Sequence, residues 1–257
     1  MKILILGAGK MGVFLCDVLC TQHEVALYDT NPKNLRFVFN TYRMTKYDEI
    51  QEFAPELVIN AVTLKHTIAA FEAVIPYLPT TCILSDIASV KTGLQNYYAS
   101  TGMRYVSTHP MFGPTFANLE DLSTQSAIII SESDDKGKAF FKDVYQSLNL
   151  QIFEYTFLEH DETIAYSLSI PFASTIVFSA VMKHQDAPGT TFKRHLSIAR
   201  GLFAEDDYLL SEILFNPFTT SQVEKIRGEL KFLLDIIERK DSVAMHSYLK
   251  KLRENIQ

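Results

Sequence analysis

The chain has 257 residues, 47% hydrophobic and 21% charged, with a formal net charge of −6. That length carries one large domain or two modest ones around a real core, and no basic stripe speaks for nucleic-acid binding. The apolar runs read as too short to span a bilayer, and three cysteines without framework spacing (Cys16, Cys20 and Cys82) predict reduced thiols in a cytoplasm.

Lys2–Leu6 is a short apolar run ahead of glycines and reads as a buried strand rather than a signal peptide. Gly7-Ala8-Gly9-Lys10-Met11-Gly12 follows it and opens a helix over residues 10–21, with Met11, Phe14, Leu15, Val18 and Leu19 at helical spacing. In that context a Gly-x-Gly-x-x-Gly loop has a mechanism. The first glycine makes the tight turn, the second admits a pyrophosphate, and the third lets the helix sit close on the sheet. The helix N-terminus turns N–H groups and a positive dipole end toward the phosphates. Cys16 and Cys20 share one face of this helix and read as small buried residues, not as a metal pair.

Glu24–Tyr28 is a second strand, ending at Asp29, 22 residues after Gly7. A carboxylate there accepts hydrogen bonds from the adenosine ribose and repels a 2′-phosphate, so NAD is favoured over NADP; Lys33 and Arg36 weaken that preference. The alternatives for the glycine turn are FAD or no ligand. Asn31-Pro32 predicts a helix start, with asparagine as cap and proline first. Residues 57–62 form another buried strand, whose end, Ala61-Val62, is expected beside the cofactor with the six loop residues and Asp29. A helix over 65–77 stops before Pro79, and residues 82–87, 104–108, 127–131 and 151–155 supply four further strands. Strands separated by helical patterns predict an α/β fold: a Rossmann-like, doubly wound, mostly parallel sheet over residues 1–155.

Strand signals then vanish, and residues 156–257 read as an all-helical domain. Residues 159–184 predict one long helix with an apolar middle, kinked at Pro171. Residues 190–204, 206–215, 219–239 and 241–255 predict four more. A helix apolar nearly all round needs cover on every side, and so thin a bundle predicts a homodimer through this half.

His109 precedes Pro110 at the end of the predicted strand 104–108. A residue before proline is pushed to extended backbone, so His109 belongs at the strand's C-terminal end, where open parallel sheets bind ligands. Imidazole titrates near neutrality. His109 is therefore a general base beside the dinucleotide or a histidine hydrogen-bonded within its loop. Ser89, just past the preceding strand, either caps the following helix or reaches the same crevice.

Together these residues resemble the prephenate and arogenate dehydrogenases of tyrosine biosynthesis, over nearly the whole chain. Gly7 to Gly12 is similar to the family's NAD loop, and Asp86-Ile87-Ala88-Ser89-Val90-Lys91 to its Asp-x-x-Ser-Val-Lys segment. His109-Pro110-Met111-Phe112-Gly113-Pro114 matches its His-Pro-Met-Phe-Gly-Pro segment without a change. Glu159-His160-Asp161 resembles the Glu-His-Asp that opens its helical domain, and Leu202-Phe203-Ala204-Glu205-Asp206 a later helical segment. The resemblance implies oxidative decarboxylation of prephenate to 4-hydroxyphenylpyruvate: hydride passes to NAD⁺, the ring carboxylate leaves as CO₂, and the ring becomes aromatic. By matched position His109 accepts the hydroxyl proton and Ser89 hydrogen-bonds the same hydroxyl. Gly113 is expected at the substrate, and His160 is either a wall of that site or a helix residue bonded to structure.

The match departs in two places. Many members carry arginine where Gly201 stands; here the arginine is Arg200, and Lys193 shares its helical face. Both are expected to hold substrate carboxylates, Arg200 in bidentate fashion, against the reading of a solvated charge pair. Phe172 stands where many prephenate-using relatives have histidine, with Ser169 three residues before it, which leaves prephenate against arogenate open. The chain begins at the Rossmann strand and ends with the helical half, so neither a chorismate mutase nor a C-terminal regulatory domain is expected. No metal is expected. Arogenate dehydrogenase and a non-catalytic dinucleotide sensor are the competing readings; His109 and Ser89 argue against the sensor.

Overall fold

A computed structural model describes residues 1–113 and 118–256; Pro114, the last residue of the histidine segment, lies outside the described residues. The chain divides into two compact units, Met1–Thr163 and Ile164–Gln257. The division falls inside the helical stretch after residue 155, so His160 and Asp161 belong to the first unit.

The first unit is built on an eight-stranded sheet of β1 (Lys2–Leu6), β2 (Glu24–Tyr28), β3 (Tyr42–Met44), β4 (Leu57–Asn60), β5 (Ile83–Asp86), β6 (Arg104–Pro110), β7 (Ser126–Ile130) and β8 (Gln151–Tyr155), in the order β3-β2-β1-β4-β5-β6-β7-β8. Every neighbouring pair is parallel except β6–β7. Strand order reverses between β1 and β4, the point at which a doubly wound sheet opens a crevice. Because side chains alternate along a strand, Ile3 and Ile5 join one apolar layer with Leu15, Leu19 and Phe141. Leu4 and Leu6 join the opposite layer with Phe71, Val74 and Tyr98. The helices are α1 (Lys10–Leu19), α2 (Tyr47–Phe53), α3 (Thr67–Val74), α4 (Leu94–Thr101), α5 (Asp135–Ser147) and α6 (Phe157–Ile164). This is the expected mostly parallel α/β architecture.

Two local expectations are corrected. Asn31 does cap, its side chain accepting from the Lys33 N–H at 3.1 Å, but only a 3-10 turn, Pro32–Leu35, follows, because the chain runs on to the edge strand β3. Ser89 caps no helix: α4 starts at Leu94, three residues after Lys91, and its N-cap is Gly93, whose φ of +80° suits a residue without Cβ.

In the second unit a π-helical turn, Ala165–Ser169, leads into α7 (Ile170–Val181), followed by α8 (Thr190–Leu202), α9 (Asp207–Leu214), α10 (Thr219–Arg239) and α11 (Ser242–Asn255). Pro171 stands at the start of α7, so the irregularity that its missing N–H imposes takes the form of the π turn ahead of it. Ser169 is fully buried, its Oγ donating to the Ile213 carbonyl at 3.1 Å and lying 2.8 Å from Thr219 Oγ1. Asp206 and Asp241 cap α9 and α11 through backbone N–H groups. The continuous helical stretch Phe157–Val181 is long and apolar enough to cross a membrane, with 17% of its most apolar window buried. That corrects the expectation of apolar runs too short to span. Scattered Ser, Thr and Tyr interrupt the run without lowering its hydropathy enough.

Candidate active site

The carboxyl ends of β1, β2, β4, β5 and β6 finish on one side of the sheet, because these strands are parallel neighbours. At the end of β1, Gly7 has φ +94°, and a Cβ there would meet the Val62 nitrogen at 3.0 Å. A Cβ on Gly12 would lie 1.9 Å from the Gly7 carbonyl oxygen, so α1 reaches the sheet only with glycine at that position. A Cβ on Gly9 meets nothing within 4 Å, which leaves backbone open to a ligand. Gly9 is also the N-cap of α1 and gives no side-chain cap, so the first-turn N–H groups of Lys10, Met11 and Gly12 suit an anion.

Asp29 closes this cradle. Its Oδ2 accepts from the Ala8 N–H at 2.8 Å, its Oδ1 accepts from the Asn31 N–H at 2.8 Å, and the Asn34 amide donates to both at 3.2 Å. The carboxylate is thus locked at the end of β2, tied to the glycine loop. A cavity of about 560 Å³ lies here, lined among others by Gly7, Gly9, Asp29, Asn34, Ala61 and Val62. Tyr47, His66 and alanines of α3 complete its wall. The residues fit a dinucleotide: a glycine turn with room, a helix N-terminus whose cap residue has no side chain, and a carboxylate fixed at the end of β2. Asn34 was missed in the sequence, since an asparagine in a polar turn gives no signal of its own.

His109 lies on β6, 6% exposed. The residue before it, Thr108, is held on two sides. The Lys91 ammonium donates to the carbonyl of Thr108 at 2.7 Å, and the Thr108 hydroxyl lies 2.5 Å from the Tyr145 hydroxyl. Lys91 itself is fully buried and paired with Asp86, whose other oxygen accepts from the Tyr98 hydroxyl at 2.7 Å. The Ala88 N–H donates to Asp86 at 3.0 Å. This clasp fixes the β5–α4 connection that carries the half-buried Ser89.

His109 Nδ1 lies 3.0 Å from His160 Nε2, and His160 Nδ1 lies 3.1 Å from Asp161 Oδ1. Burial, together with His160 and Lys91 alongside, holds the His109 imidazole well below its ordinary proton affinity. Burial lowers His160 too, with Asp161 pulling the other way. Burial lowers Lys91, with Asp86 opposing. These effects favour the neutral form of the buried imidazole, the form with a ring nitrogen open to a proton.

Of the residues expected at substrate, His160 joins His109 and is fully buried. Gly113 is exposed just after β6, next to the undescribed residues 114–117. Lys193 and Arg200 lie on α8 in the second unit, both exposed. Phe172 is half-buried on α7. Ser169 has its hydroxyl engaged within its own unit. The buried Lys91, Asp86, Tyr98 and Tyr145 escaped the sequence reading. Only the Asp86-to-Lys91 segment pointed toward the first two.

The family model described as "Prephenate dehydrogenase, nucleotide-binding domain" matches residues 19–151, just over half of the chain. A probable arogenate/prephenate dehydrogenase of Methanocaldococcus jannaschii is 23% identical over 201 residues, 72% of this chain and 44% of that protein. The T-protein of Enterobacter agglomerans is 24% identical over 153 residues, 56% of this chain and 40% of that protein. The chain thus spans less than half the length of these curated relatives. Among solved structures, Aquifex aeolicus prephenate dehydrogenase, in complex with hydroxyphenyl propionate and NAD⁺, superposes with a TM-score of 0.85 at 19% identity, covering 100% of this chain and 98% of that one. Synechocystis arogenate dehydrogenase gives 0.79 at 17% identity, covering 99% and 98%. At such identities the likeness to these structures is one of fold.

Proposed function

Because the chain belongs to the prephenate dehydrogenase family, we propose that it catalyses the NAD-dependent oxidative decarboxylation of prephenate to 4-hydroxyphenylpyruvate and CO₂ in tyrosine biosynthesis. The observation that carries this reading is the buried His109 on β6, which continues the parallel run of strands whose members β1, β2 and β4 end at the dinucleotide cradle. Bound NAD⁺ supplies the hydride acceptor.

His109 accepts the proton of the substrate hydroxyl, a contribution of roughly 10²–10⁴-fold. Ser89 hydrogen-bonds the same hydroxyl and orients it. Arg200 and Lys193 hold the substrate carboxylates, and Gly113 lets backbone approach the ring. Asp29, anchored by Ala8, Asn31 and Asn34, accepts from the ribose hydroxyls and disfavours a 2′-phosphate. The enzyme works in the cytoplasm, in keeping with its three free thiols, as a homodimer formed through the helical unit.

Phe172 favours one second reading, arogenate dehydrogenase, because it puts an apolar ring where many prephenate-using relatives carry histidine. The test is a set of initial rates with prephenate and with arogenate, each with NAD⁺ and NADP⁺, followed by absorbance of the reduced nicotinamide. Turnover is expected to be fastest with prephenate and NAD⁺. Faster turnover of arogenate selects the second reading, and no turnover of either substrate overturns both.

A further inference from the structure

We propose that His160 and Asp161 are a positioning pair that fixes the reactive tautomer of His109 and takes up the charge His109 acquires. This rests on the reading of His109 as the proton acceptor. The argument starts at Asp161, because an ionised carboxylate only accepts hydrogen bonds. Its Oδ1 lies 3.1 Å from His160 Nδ1, so that nitrogen carries the hydrogen. A neutral imidazole has one N–H, so His160 Nε2 carries a lone pair. That lone pair faces His109 Nδ1 at 3.0 Å, so Nδ1 donates. His109 Nε2 is left bare, as a base must be. The opposite order sets the His160 Nδ1 lone pair against a carboxylate and makes His109 Nε2 a donor, which cannot accept a hydroxyl proton.

The surroundings give the pair its second task. Both rings are buried, while the Asp161 side chain is 17% exposed. Lys91, paired with Asp86, is the nearby cation, and Tyr98 and Tyr145 are held on Asp86 and Thr108. A second cation at His109 is unfavourable so close to Lys91. When Nε2 takes the hydroxyl proton, the Nδ1 proton shifts to His160 Nε2. His160 then carries the positive charge beside the Asp161 carboxylate. No electrons move, and no proton is lost or gained in the shift. On product release the shift reverses, and Nε2 returns its proton to water.

Two measurements on the full chain decide the matter. Long-range ¹H–¹⁵N correlation spectra of the histidine rings near neutral pH are expected to show His109 protonated at Nδ1; protonation at Nε2 overturns the proposal. Asp161→Asn is expected to lower kcat by about 10-fold or more, leave both KM values within about twofold, and move the acid limb of kcat/KM to lower pH, because an anion that favours imidazolium is gone. Asp161→Glu restores part of the rate. A merely structural aspartate would leave the acid limb in place, and that result also overturns the proposal. If the wild-type chain turns over neither prephenate nor arogenate, the reading of the reaction fails, while the spectra still decide the tautomer.

Discussion

The burial that keeps His109 and His160 neutral also makes the fold sensitive to acid. Both imidazoles are held below their ordinary proton affinity, first of all by burial. In the unfolded chain the same side chains titrate at about 6.5. Below that value the unfolded chain therefore binds more protons than the folded one, and stability rises with pH through this window. Their contribution is complete above about 6.5 and is lost as pH falls toward the depressed folded values. The urea midpoint is expected to be lower at about pH 5 than at about pH 7.5, and the His109→Gln/His160→Gln double variant should flatten that dependence. An equal slope in the double variant would assign the acid sensitivity to other groups. At this scale the sequence announces His109 through its proline and its strand. The family resemblance brings His160 forward as a wall of the site or a helix residue, but not as the partner of His109, because the two histidines stand 51 residues apart and only the fold brings them together.

At the scale of elements, the Lys91–Asp86 clasp joins the end of β5 to the C-terminal part of β6. The ammonium holds the Thr108 carbonyl while the carboxylate gathers Tyr98 and the Ala88 N–H. Removing one member of a buried ion pair leaves the other charge uncompensated, which typically costs about 3–5 kcal/mol. Lys91→Met is expected to lower the thermal midpoint sharply, and adding Asp86→Asn should recover part of the loss. A Lys91→Met midpoint equal to wild type would show that the pair contributes nothing to holding these strands. The pair is hard to read from sequence because lysine is almost never fully buried. The strands β1, β2 and β8 are legible to the residue, since each is a short run bounded by turn residues. The short β3, α2 and the longer α5 are not. β3 has three residues, two of them exposed, and α2 has seven, too few for a period to declare itself. α5 carries Gly137 in its first turn, which reads as a breaker. In the structure a Cβ at Gly137 would meet Val106 at 2.7 Å, so this glycine is there to let α5 lie close on β6.

At the scale of the whole molecule, the uncovered apolar surface of the helical unit governs behaviour in solution. No residue of α7 or α11 is buried. Val181 is 72% exposed and Val243 75%, with Val177, Ile198, Phe232 and Ile237 about half exposed or more. A monomeric soluble protein seldom leaves so many large apolar side chains open to water. A long helix apolar on most sides is legible as one that needs cover, but its period cannot say whether protein or lipid provides it. The composition of Phe157–Val181 passes for a membrane span. The charged and polar residues that alternate with the apolar ones along α8, α10 and α11 do not suit lipid on every side. A second copy of the chain offers apolar surface and polar partners together, as a symmetric interface requires. Light scattering at micromolar concentration is expected to give twice the 29.2 kDa mass of one chain. Val177→Glu and Phe232→Glu should each shift that mass toward the single chain and lower the unfolding midpoint, because a carboxylate in a closed apolar interface is costly to desolvate. A single-chain mass for the wild type, with the protein recovered on lipid vesicles instead, would assign the cover to the membrane and overturn the dimer.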